Sequence, residues 1–309
     1  ILSGINIGER LEYLALFDRD SPLFSKGLLE VPAKVRYELD SLLLPTKDLS
    51  WQVITGEPYK PPYGEQFPAE RLLTARSWED LTLSEAIQSS IEKIKKWLKL
   101  GGEPFRLIFV GAAGTGKTFT ATLLGKEVNQ TVYELSAEQL TVSYHSDTEQ
   151  VLTRLFQRAE MNQWLLVFDQ AEYLLQSPTK ERYFALRTWR FLWHQIKQYS
   201  GTVIFCTNVV PLQLGDSIKR GFQAIIPFRV PNEQDRLALW EKYFQDLPQT
   251  PDIDYETLAE EYEITGAFVA EIKQSALRYQ KLDERKELMA RDIDRALIEV
   301  YEKYQYDKE

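Results

Sequence analysis

Five short apolar runs constrain this chain most: RLIFV at 106–110, TVYEL at 131–135, WLLVF at 164–168, TVIFC at 202–206 and AIIPF at 224–228. Each is rich in β-branched and aromatic residues and too short for a helix, and stretches with helical spacing of apolar residues lie between them. Strands separated by helices return in the same direction, so the pattern predicts a parallel sheet covered by helices on both faces. Ahead of the first run, Ile87, Ile91, Ile94 and Leu98 recur at helical intervals with Lys93, Lys95, Lys96 and Lys99 among them. That spacing predicts an amphipathic helix over 84–100.

The flanks read differently. Residues 231–309 lack any strand pattern and predict helices at 232–245, 254–263, 266–282 and 291–305, an α-helical lid. Residues 1–69 mix a short helical pattern at 8–17 with the strand-like GLLEV at 27–31 and end in a loop where Pro58, Pro61, Pro62 and Pro68 bar regular helix. The expected division is a small N-terminal α+β domain with its linker over 1–69, an α/β unit over 70–230 and the lid over 231–309.

Bulk properties narrow the functions. The chain has 309 residues, 44% hydrophobic and 12% aromatic, enough for a full core. No apolar run approaches the roughly 18 residues of a membrane span, and no basic-then-apolar leader opens it, so a soluble, cytoplasmic protein without a membrane partner is expected. Its first residue is Ile1 rather than a start methionine, which suggests a fragment or a processed form. One cysteine, Cys206, excludes an internal disulfide, and with only two histidines a Cys- or His-rich metal site is excluded too. Of the net charge of −9, the whole excess falls after residue 230, which holds 20 acidic and 11 basic residues. Such a surface repels phosphate backbones, so nucleic acid is an unfavoured partner.

Between the first strand and a helical stretch lies Gly111-Ala112-Ala113-Gly114-Thr115-Gly116-Lys117-Thr118, which matches G-x-x-x-x-G-K-[ST]. A chance match in such a chain is on the order of one in a hundred. Glycines let main-chain N–H groups curl around phosphate oxygens, and the following helix, which opens through Phe119, offers the same anion its positive N-terminus. Residues 111–119 are therefore the expected ATP or ADP site, with Lys117 on the β- and γ-phosphates. Thr118 and Asp169, which closes WLLVF, are the expected Mg²⁺ pair. Asn208 follows TVIFCT and is either a cap on the next turn or a residue of the same site.

VGAAGTGKT, LLVFDQAEYLL, VIFCTN and DSIKRGFQAIIPFRVPNEQDRLALW, in that order and spacing, resemble the AAA+ ATPase module over about 70–309. The resemblance implies a P-loop sheet sandwiched by helices, an α-helical lid, ATP hydrolysis with Asn208 sensing the γ-phosphate and helping to orient water, and a homo-oligomeric ring, with a hexamer among its open forms, that remodels protein. FPAERLLTARSWEDLTLSEAIQSSIEKIKKWL is similar to the lead-in of AAA+ ATPases of phage-tail-like contractile injection systems, which implies an injection-system component as partner and a winged-helix-like fold for residues 1–69.

Several positions depart from the family pattern. Members usually carry Glu after the metal aspartate to deprotonate water, and here Gln170 stands there. An amide positions water but takes no proton, and general-base catalysis is typically worth about 10²- to 10⁴-fold, so hydrolysis is expected to be slow. Natural loss and deliberate substitution to trap ATP remain open for Gln170. Glu172 is a weaker candidate base, because helical geometry is expected to turn it away. Tyr144-His145-Ser146 keeps only the aromatic of the pore-loop triplet, so Tyr144 is either the contact to a polypeptide or a surface residue. Lys219-Arg220-Gly221 offers Arg220 alone as arginine finger for a neighbouring subunit. In the lid, the expected basic residue falls on Ala270, with Lys273 as substitute. Three readings follow: a ring-forming, protein-remodelling ATPase of low activity, a degenerate nucleotide-binding assembly scaffold, and a nucleic-acid loader.

Overall fold

The computed structural model describes residues 21, 23, 28–30, 44–56, 59, 61–64, 67–101, 103–142, 148–175, 183–209 and 219–306. The helix expected at 8–17 lies outside them, as do Tyr144, His145 and Ser146, and most of the N-terminal domain expected over 1–69.

In chain order the described elements begin with β1 (Leu29–Glu30) and β2 (Leu44–Pro45), which pair antiparallel, and α1 (Lys47–Thr55). Next come β3 (Glu70–Leu72), α2 (Glu85–Leu100), β4 (Phe105–Val110), α3 (Lys117–Glu127), β5 (Val132–Ser136), α4 (Ala137–Val142) and α5 (Thr148–Asn162). They are followed by β6 (Leu165–Asp169), α6 (Glu172–Leu175), α7 (Tyr183–Gln198), β7 (Thr202–Thr207) and β8 (Ala224–Pro227). The chain closes with α8 (Glu233–Phe244), α9 (Tyr255–Glu261), α10 (Gly266–Leu282) and α11 (Ala290–Tyr306).

Six strands form one sheet in the order β3-β5-β6-β7-β4-β8. All five strands expected from the apolar runs are present and mutually parallel where paired. Along each strand successive side chains alternate between faces, and both faces are buried. Ile108, Leu166, Phe168, Val203 and Phe205 pack on one side with Leu152, Leu155, Leu192 and Ile196 of α5 and α7. Leu107, Phe109, Leu165, Val167 and Ile204 pack on the other with Ile87, Ile91 and Ile94 of α2 and Ala121 and Leu124 of α3. Each of the three α2 isoleucines contributes about 1.5–3 kcal/mol by leaving water.

The sheet departs from the expected all-parallel form at one edge, where β3 pairs antiparallel with β5 through Glu70↔Glu134 and Leu72↔Val132. Glu-Arg-Leu carries no apolar alternation, so only the pairing partner defines this strand. A doubly buried parallel interior with an antiparallel edge is the arrangement such sheets tolerate.

The lid helices occupy their expected places within one or two residues and enclose a core of their own around Trp240, Phe244, Ile272, Ala276 and Leu297. Asn232 caps α8 by accepting from the Asp235 N–H at 2.8 Å, and Asp254 caps α9. Buried Arg236 anchors that subdomain with Nε donating to the Ala259 carbonyl at 2.7 Å. Between the sheet unit and α1, Arg158 of α5 forms a half-buried ion pair with Asp48 at 2.8 Å. Among the described residues no helix is long and apolar enough to cross a membrane.

Candidate nucleotide site

The C-terminal strand ends bring the site together. Ser136 lies opposite Asp169, and Val110 lies opposite both Thr207 and Pro227. Residues 111–116 leave β4 there and turn into α3. Gly111 is fixed by close approach, since its N–H donates to the Thr207 carbonyl at 3.0 Å and a Cβ would stand 2.0 Å from the Phe228 carbonyl oxygen. Gly114 and Gly116 have φ of 76° and 95°, a left-handed backbone that favours glycine. The first full turn of α3 then points its N–H groups at the loop's mouth, as anion binding requires.

Lys117 Nζ donates to the Gly111 and Ala112 carbonyls at 2.7 and 2.8 Å, so the ammonium is held by the loop itself. Burial lowers its pKa from the usual 10.5, while Cys206, Asp169 and Glu172 act in the opposite direction. Thr115 Oγ1 donates to the Ala112 carbonyl at 2.8 Å and tightens the turn.

Carboxyl groups gather opposite the loop. Asp169 closes β6, and its carboxylate is hydrogen-bonded to Glu134 of β5. Burial first, and the Asp169 charge second, push the Glu134 carboxyl from the ordinary 4.5 up to about 7. Burial also raises the Cys206 thiol far above its usual range, so it is a neutral thiol, hydrogen-bonded to the Thr118 side chain. Gln170 follows with φ of 52°, and its Oε1 accepts from Ser136 Oγ at 3.2 Å. Glu172 Oε2 accepts from Thr207 Oγ1 at 3.2 Å and from the Asn208 N–H at 3.4 Å.

The lid closes over these groups. A Cβ on Gly114 would meet Thr265 Oγ1 at 2.4 Å and Ala267 Cβ at 2.8 Å, and the Ala267 N–H reaches the Gly114 carbonyl at 3.4 Å. Thr265 Oγ1 is buried with no hydrogen-bond partner among the described residues. Between sheet and lid runs a cleft of about 1240 Å³ whose walls include Leu81, Lys117, Thr118, Asp169, Gln170, Asn208, Tyr243 and Ala270. Glycine-cradled N–H groups, one ammonium, and a hydroxyl with a carboxylate suit a triphosphate tail and an oxygen-seeking Mg²⁺.

Of the expected residues, Ala113, Gly114, Thr115, Gly116, Lys117, Thr118, Phe119, Asp169, Gln170 and Asn208 all line the cleft, whereas Gly111 and Ala112 lie beneath it and hold Lys117. Arg220 is exposed on the turn before β8, near the start of β4, where the Gln223 N–H bonds the Arg106 carbonyl. It therefore lies at the end of the strands opposite its own cleft. Ala270 takes the wall position expected of it, but Lys273 is committed elsewhere, its ammonium donating to the Tyr243 carbonyl. Glu172, expected to turn away, lines the cleft, because the left-handed Gln170 redirects the chain before α6 begins. Glu134 and Ser136 went unnoticed in the sequence. Their spacing of two on one strand puts them on the same face, but only pairing with β6 brings that face to Asp169.

Sheet, loop and lid together have an AAA-type α/β fold, with a glycine loop suited to phosphate. Residues 107–230 match the family described as ATPase family associated with various cellular activities (AAA). A 26S proteasome regulatory subunit homolog of Methanocaldococcus jannaschii is 27% identical over 71% of this chain and 64% of its own length. Vacuolar protein sorting-associated protein 4 of Dictyostelium discoideum is 25% identical over 50% of this chain and 36% of its own. The chain thus spans less than two thirds of the length of these curated relatives. In fold, the AAA domain of FIGL-1 solved with ADP superposes with a TM-score of 0.60 at 18% identity, covering 75% of this chain and 86% of that domain.

Proposed function

We propose that this chain is an ATP-binding module that assembles into a ring and remodels protein or supports an assembly of the contractile-injection type, with hydrolysis slowed by Gln170. One observation carries the reading: the glycine cradle at 114–116, Lys117, Thr118 and Asp169 all converge on one cleft roofed by the lid. A nucleotide bound there touches both subdomains, so its presence biases their relative placement. The position of Arg220 at the strand ends opposite the cleft supports a ring, since it is available to a neighbour's cleft and not to its own.

The injection-system assignment rests on the lead-in at 67–98, whose Trp78 ring is covered by the Lys95 ammonium at 3.7 Å. An alternative reading, a scaffold that binds ATP and turns over little of it, is supported by the amide at 170 hydrogen-bonded to Ser136. The test is nucleotide affinity with Mg²⁺, together with particle mass with and without ATP. Binding with a rise in mass is expected; a chain with no affinity for adenine nucleotides sinks the proposal.

A further inference from the structure

We infer that Glu172 is the carboxylate that activates water in this cleft, the task for which position 170 carries only an amide. The inference rests on the reading that the cleft binds ATP.

Local backbone geometry places the residue. Gln170 sits in the left-handed region at φ 52°, which non-glycine residues seldom adopt. The turn it makes sends the Ala171 N–H to the Cys206 carbonyl of β7 at 2.9 Å, beyond the last residue of β6. Glu172, the first residue of α6, therefore lies across the end of β7 and not along the continuation of β6. There Oε2 takes both hydrogen bonds, from Thr207 Oγ1 and the Asn208 N–H. The second oxygen, Oε1, takes none among the described residues. A carboxylate steered by one oxygen with the other available is the arrangement a proton acceptor needs.

The neighbouring candidates have other commitments. Gln170 Oε1 is engaged by Ser136, and an amide accepts no proton at neutral pH. Glu134 is hydrogen-bonded to Asp169 and is absent from the cleft wall. Asp169 belongs to the metal position. Glu172 lines the cleft and lies close enough to Lys117 for its charge to act on that ammonium.

The step balances simply. Glu172 takes a proton from water, the resulting hydroxide oxygen forms a bond to the γ-phosphorus, and the bond from that phosphorus to the β–γ bridging oxygen breaks. ADP leaves with the electron pair, inorganic phosphate is released, and the proton passes from Glu172 to solvent.

The test compares the unchanged chain with Glu172→Gln, Glu172→Asp and Glu172→Ala, measuring fluorescent ATP affinity with Mg²⁺, single-turnover phosphate release and thermal melting. Gln keeps an oxygen to accept from Thr207 and Asn208, so a merely holding role survives that exchange while proton acceptance does not. The expected result is unchanged ATP affinity and melting for Glu172→Gln, phosphate release down about 10²-fold or more, and partial recovery in Glu172→Asp. Release by Glu172→Gln at the unchanged rate, with loss only in Glu172→Ala, overturns the inference. So does an unchanged chain that binds ATP but releases no phosphate, a result that leaves nucleotide binding standing. Absence of ATP binding by the unchanged chain overturns both.

Discussion

Across the cleft, the loop after β4 and the ends of β5, β6 and β7 face one another with different kinds of structure. The loop is main chain: Gly111 is pressed against the Phe228 carbonyl, Gly114 against Thr265 and Ala267, and Lys117 is tied to the carbonyls of Gly111 and Ala112. The opposite side is side chain: Ser136, Asp169, Gln170, Glu172 and Asn208 come from three strands and exchange a few hydrogen bonds. Backbone geometry of this kind tolerates almost no substitution, whereas the side-chain wall is built from exchangeable groups, among them the Gln170 amide held by Ser136. Substitutions on the two walls are therefore expected to separate nucleotide affinity from turnover.

The largest effect is expected from putting acid back on the side-chain wall. Gln170→Glu should raise phosphate release about 10²-fold, since general-base catalysis typically supplies 10²- to 10⁴-fold, and should leave ATP affinity within a few-fold. No gain would mean that an acid at 170 does not limit release, either because Glu172 already serves or because further groups are missing, as in the scaffold reading. On the loop wall, Lys117→Ala should weaken ATP binding about 10- to 100-fold, the worth of charge-assisted hydrogen bonds of about 1.5–3 kcal/mol, in a fluorescence titration with Mg²⁺. Equal affinity would remove the distinction between the walls altogether.

Gly114→Ala probes the contact between loop and lid. Its φ is 76° and its Cβ would stand 2.4 Å from Thr265 Oγ1, so a loss of about 1–3 kcal/mol is expected, read as a lower unfolding midpoint and weaker nucleotide binding. An unchanged midpoint would show the lid is not seated on the loop in solution.

The smallest effect concerns Glu134. Its folded pKa of about 7 lies above the ordinary 4.5, so the folded state binds more protons than the unfolded state between those values. The contribution to stability is thus complete below about 4.5 and is lost as pH rises through about 7. Denaturant midpoints should show this fall, and Glu134→Gln should flatten it. A variant that keeps the same slope would assign the pH dependence to other groups.

Much of this was legible beforehand because its causes are local. The strands at 105–110, 165–169 and 202–207 are announced by uninterrupted apolar runs, which is what burial on both faces demands of a sequence. α2 is announced by Ile87, Ile91 and Ile94 at helical spacing. The loop at 111–118 is announced by glycines at positions where no side chain fits. The edge strand β3 was not legible, since Glu70, Arg71 and Leu72 become a strand only because β5 offers them an edge.

The residues alone determined the sheet and lid, the glycine loop with Lys117 and Thr118, the aspartate that closes β6 at 169 and the amide at 170. All of these follow from patterns within a few consecutive positions, where sterics and hydrogen bonding act over short distances. Only the tertiary structure decided that Glu134 shares a hydrogen bond with Asp169, that Lys273 turns to the Tyr243 carbonyl, that Arg220 stands at the strand ends opposite the cleft and that Glu172 enters the cleft. Those outcomes depend on which strand lies beside which and on one left-handed residue at 170. A rotation of the backbone there moves every later side chain, and no composition or spacing encodes its sign.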